Sequence, residues 1–162
     1  MMHCSLAVAR LAFWAVALLV GGPAAPARAV PEDCPAVSEW SDSLHTMIDR
    51  QNELELIEVR LTRLPTLTLD ELADGLQTVA TEREAVLAEF QARAVPPSAL
   101  GVYTAYSLSW EIHAQVADAY IAALRRGDDH QLGIADAYHE ASGTIETRAR
   151  RLLSALLAAC EL

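Results

Sequence analysis

From Val37 onward, apolar residues recur every three to four positions, the period of one helix face. The first such stretch places Val37, Trp40, Leu44, Met47, Leu54 and Leu61 on one stripe. The second aligns Leu72, Leu76, Val79, Val86 and Phe90, and the third Tyr103, Tyr106, Trp110, Ala117, Tyr120 and Leu124. The fourth presents Ile134, Tyr138, Ile145, Leu152, Leu156 and Ala159. Punctuation falls between the stretches. Cys34-Pro35 fits an N-cap followed by proline in a first turn, and Pro65 stops the first stretch. Thr68 and Glu71 form a capping box, with Leu67 and Leu72 placed as a hydrophobic staple. Pro96-Pro97 separates the second and third stretches, Gly127 suits a left-handed C-terminal position, and Asp128 with Gln131 can cap the fourth.

This pattern predicts helices over 35–64, 69–95, 98–126 and 129–160. Connections this short force neighbouring helices to run antiparallel. The expected fold is all-α: an up-down-up-down antiparallel four-helix bundle. One segment carries a competing signal. Glu53–Leu69 alternates apolar and polar residues as a strand does, but the alternation slips at Leu56-Ile57, and Glu, Leu and Arg favour helix.

The residues before the bundle read as an address. Arg10 precedes an unbroken apolar run, Leu11–Val20, broken by Gly21-Gly22-Pro23. Ala27-Arg28-Ala29 then offers small residues for cleavage. The expectation is a signal peptide over 1–29 and one domain over 30–162. A run of ten apolar residues is about half of the roughly 20 that a membrane-spanning helix needs. Export, to a periplasm or outside the cell, changes how the cysteines are read. Cys4 leaves with the leader, so Cys34 and Cys160 remain in an oxidising compartment and suggest a disulfide. The bundle places both at one pole, which makes the pairing geometric as well as compositional.

Charge narrows the function classes. The 162-residue chain carries 12 arginines, no lysine and 22 Asp+Glu, a net charge of −10. Loss of Arg10 and Arg28 takes it to −12. Nucleic acid and anionic membranes need a basic footprint, so neither is expected as a partner. No P-loop, nucleophile elbow, C-x-x-C or dinucleotide turn occurs, and no cofactor is expected. Asp42-x-x-His45 and Asp136-x-x-His139 resemble half of a di-metal bundle site. Register separates the two pairs along the axis, so they read as solvated surface pairs, with no metal expected. His139-Glu140 begins a zinc-protease motif, but Gly143 stands where the second histidine must be.

The informative constellation lies mid-bundle. Helical placement puts Gln51, Arg83 and His113 on core faces of three helices at one level, with Ser142 nearby and Glu58 about two turns along. A buried arginine needs a partner, here Gln51, Glu55, Glu58 or Glu82. The layer reads either as a polar device fixing helix register or as a cavity where Arg83 holds an anion and His113 tunes it. A second apolar stripe on helix 3, Leu108, Ile112 and Val116, suits wide burial or a homodimer or protein partner. The expected function is a non-catalytic exported bundle with a structural or interaction role. A small-anion carrier using Gln51, Arg83 and His113 is the alternative.

Overall fold

The computed structural model describes residues 30–162; the expected signal peptide lies outside them. Four long helices follow one another: α1 (Cys34–Thr62), α2 (Leu69–Gln91), α3 (Leu100–Arg126) and α4 (Asp129–Ala159), with a short 3-10 turn at Pro97–Ala99. Among the described residues there is no strand, so Glu53–Leu69 is helix and turn. The chain forms an all-α four-helix bundle.

Local chemistry explains most of the boundaries. Thr68 Oγ1 accepts from the Glu71 backbone N–H while Glu71 returns a bond to the Thr68 N–H, completing the capping box. Gly127 takes φ 62°, the left-handed conformation that ends α3, and Asp128 Oδ1 caps α4 through the Gln131 N–H. Most limits fall within two residues of the sequence expectation, and two differences are informative. α2 ends at Gln91 rather than 95, because Pro96 disfavours helical backbone at Val95. At the start of α1, Asp33 rather than Cys34 is the N-cap, and its side chain does not cap the helix. Its carboxylate instead accepts from the Ser98 hydroxyl (2.7 Å) and backbone N–H (3.1 Å), tying the start of α1 to the 3-10 turn. Those bonds hold the Asp33 carboxyl below its ordinary pKa.

The core is divided. Near the chain ends, Trp40, Leu44 and Met47 of α1 meet Phe90 of α2, Tyr106 and Trp110 of α3, and Leu153 of α4. Phe90 is central, its ring 5.0 Å from both Tyr103 and Trp110. At the opposite pole a smaller cluster joins Ala73, Leu76 and Ala80 to Ile121 and Leu124. Cys34 and Cys160 are bridged at the first pole, with Cα atoms 5.4 Å apart.

The fourth helix buries Ile145 and Leu156 of the expected stripe but not all of it. Ile134 (39%) and Leu152 (37%) remain exposed. The buried face runs through Ala135, Ser142, Ala149 and Leu156, together with Ile145 and Leu153. Three of the four residues on that seven-residue repeat are small, and small side chains let helix backbones approach. α3 and α4 are the most closely apposed pair, near enough for the buried Ser109 hydroxyl to donate to the Ser142 carbonyl at 3.0 Å. α1 and α4 are far less closely apposed. Among the described residues, no helix is long and apolar enough to cross a membrane.

Candidate functional site

Beside the smaller core cluster, with which it shares Leu76, Ala80 and Ile121, lies a cavity of about 190 Å³ to which all four helices contribute. Its floor is apolar: Leu76, Val79 and Ala80 from α2, Val116 and Ile121 from α3, and Ala135 from α4. Its mouth is polar. The exposed lining residues are Glu55 and Thr62 on α1 with Asp136 and His139 on α4, so the opening lies along the α1–α4 seam. The wider spacing of those two helices is what leaves the space.

Arg83 enters the cavity from α2 with only 7% of its surface exposed. Its partner is Glu58, one of the four expected from the sequence: Nη2 lies 2.8 Å from Oε2. The contact is an ion pair by distance but misses hydrogen-bond alignment, so Glu58 Oε2 has no donor and Arg83 Nε has no acceptor within the protein. His113 stands beside them on α3, with its Nε2 likewise unpartnered. Its ring is 4.8 Å from that of His139, tilted by 39°. Burial, reinforced by the positive charge of Arg83 and by His139, pushes the His113 pKa down to about 4. His113 is therefore a neutral imidazole at ordinary pH. Tyr120, also lining the cavity, has its hydroxyl pKa raised by burial and then by Asp136 and Glu58.

Of the three expected residues, Arg83 and His113 come together and Gln51 does not. Gln51 is half-buried and outside the cavity. The reason is register. A symmetric α1–α2 turn would set residue 51 opposite residue 82. The observed pairs Glu58–Arg83 and Arg50–Glu89 mirror about Asp70, and Ser43–Arg93 about Thr68, instead of between Thr66 and Leu67. Residues of α1 therefore meet partners roughly one to two turns further along α2, and Glu58 takes the place expected for Gln51. Ser142 is buried but turned to the α3 seam, its Oγ unpartnered.

Asp136 and His139 are both exposed, as a solvated surface pair should be, and they also line the cavity mouth. The signal was available: Ser109–Ser142 and His113–His139 both mirror about the end of α3, within a turn of Gly127. His45 is exposed and remote from this site. Among the described residues, no three His, Cys, Asp or Glu side chains are grouped to hold a metal ion.

No known protein family, curated protein or solved structure matches the chain. Its own chemistry must therefore carry the functional reading. Among the described residues, Arg83 is the one arginine lining the cavity, against Glu55, Glu58 and Asp136. The site thus has one compensated cation, an excess of carboxylate at the rim and an uncharged imidazole within.

The buried imidazole has a measurable consequence. Above pH 6.5, the ordinary value for histidine, the folded and unfolded chains both keep His113 neutral and nothing is lost. Between 6.5 and about 4 the unfolded chain takes up a proton that the folded one refuses. Stability then falls with falling pH, and the loss is complete below about 4. Its size is on the order of 3 kcal/mol. Urea unfolding at pH 7.5, 5.5 and 4, compared between wild type and His113→Gln, isolates this contribution. Carboxylates held low, such as Glu89 by Arg93 and Arg50, add losses common to both proteins. Equal pH slopes for the two proteins would refute a buried neutral His113.

Proposed function

We propose that this chain is a non-catalytic, exported helical bundle that binds a small molecule in its central cavity. The observation that carries the proposal is an apolar-floored cavity lined by Glu58, Arg83 and His113, each of which carries a buried polar atom (Oε2, Nε and Nε2) without a partner in the protein. Buried polar groups are nearly always hydrogen-bonded. Three orphans around one cavity therefore mark bonding capacity left for a guest or for water.

Two further observations shape the reading. The Leu108, Ile112 and Val116 stripe is half-buried, and Val116 walls the cavity. Much of the apolar surface assigned to a partner or homodimer thus lies within the bundle. Arg83, the residue expected to hold an anion, already has Glu58 beside it. The disulfide and the leader-like N-terminus support export.

Ligand-observed NMR with four single-ring probes (phenol, toluene, benzylamine and benzoate) tests the reading. At least one is expected to bind the full chain. Val116→Phe, which puts a ring into the cavity, is expected to weaken that binding about tenfold or more, with circular dichroism verifying the fold. Absence of binding by every probe, or binding untouched by the folded variant, would remove the proposal.

A further inference from the structure

The chemistry around the cavity selects among ligand classes, on the premise that it binds a small molecule at all. We propose that the guest is a neutral molecule of about one ring's bulk carrying a hydroxyl group, which accepts from Arg83 Nε–H and donates to Glu58 Oε2 or His113 Nε2.

Size comes first. An engineered apolar cavity of about 150 Å³ takes up benzene, so 190 Å³ accommodates one ring with a small substituent. The walls agree, since Leu76, Val79, Val116 and Ile121 offer aliphatic surface with no polar atoms of their own.

The orphan atoms then set the polar end. Arg83 Nε is a donor and Glu58 Oε2 an acceptor, and the ion pair holds the two side chains together. A hydroxyl is the smallest group that both accepts and donates, so one oxygen can serve both. His113, neutral and unpartnered, adds a second site able to receive the proton end.

Charge excludes the neighbouring classes. An anion would satisfy Arg83 Nε, but it would enter past Glu55 and Asp136 and sit against Glu58. An ammonium would satisfy Glu58 Oε2 and His113, but it would leave Arg83 Nε without an acceptor and place two cations side by side. The Arg83–Glu58 pair is already balanced, so an uncharged guest alone adds no uncompensated charge to a space where charge is costly.

The probe panel above resolves this when read as a ranking, by calorimetric titration of the full chain with its disulfide intact at pH 7.5. Toluene has nearly the shape of phenol without the hydroxyl. Phenol is expected to bind at least about tenfold tighter than toluene, the worth of one or two hydrogen bonds to charged groups. Benzoate and benzylamine, both ionised, are expected to bind no better than toluene. In the double variant Glu58→Leu/Arg83→Met, which leaves His113 as the remaining partner, the phenol-to-toluene ratio is expected to fall at least about threefold while toluene still binds. A smaller ratio in wild type, an ion that outbinds phenol, or a ratio that survives in the double variant overturns the hydroxyl assignment while leaving cavity binding in place. Failure of every probe overturns cavity binding itself.

Discussion

Replacing Cys34 and Cys160 by serine is expected to cost about 5 kcal/mol of unfolding free energy, the largest effect of any change considered for this molecule. The bridge joins residues 126 apart in sequence, and the chain-entropy model gives roughly that figure for a loop of this length. The cause lies mainly in the unfolded chain, whose ends the bridge holds together. The folded bundle already brings α1 and α4 to one pole through Val37, Trp40, Leu153 and Leu156. The expected result is therefore a C34S/C160S protein that keeps its helical spectrum but unfolds at much lower urea concentration. Equilibrium unfolding of the two proteins at pH 7 measures it. A difference below about 1 kcal/mol would mean that the unfolded chain keeps its ends together without the bridge.

The second large effect concerns the ion pair. Glu58→Gln leaves the Arg83 guanidinium buried without its counter-charge, and breaking a buried pair from one side typically costs about 3–5 kcal/mol. Glu58 itself keeps 29% exposure, so water can relieve part of the loss and about 3–4 kcal/mol is expected. The informative comparison is Glu58→Leu/Arg83→Met, which removes both charges and leaves apolar side chains of similar bulk. Such replacements are often neutral or stabilising, so the double variant is expected within about 1 kcal/mol of wild type. A double-mutant cycle with Arg83→Met completes the measurement. A single Glu58→Gln change costing under about 1 kcal/mol would show that Arg83 draws no net stability from its partner.

Much of this architecture was legible before any coordinates. The capping box at Thr68 and Glu71, the stop at Gly127 and the cap at Asp128 are local chemistry, and each sits where the sequence puts it. The disulfide followed from topology because both cysteines lie within a residue of the helix limits. The buried face of α4 departs from the expected stripe at Ile134 and Leu152, because hydropathy favours bulk. Ile134 and Leu152 outrank Ala135 and Ala149 on any apolar scale, yet close approach to α3 rewards the smaller side chains. The site was half legible. Arg83 and His113 are core-facing by simple periodicity. The replacement of Gln51 by Glu58 depends on how far the 63–68 connection displaces α2 along the axis, and no residue in that connection announces the offset.

The bridge fastens α1 to α4 at one pole, whereas the cavity mouth lies between the same two helices further along. α3 and α4 are locked by their small-residue seam, which leaves α1 as the stave best able to swing, with the sulfur bond as its pivot. Glu58 stands 24 residues from Cys34 on that lever. At about 1.5 Å per residue, a tilt of only about 5° carries its backbone roughly 3 Å outward. That same swing draws the carboxylate away from Arg83. Widening the gap for a guest and uncoupling the buried charges are thus one movement, and the molecule resists the first in proportion to the strength of the second.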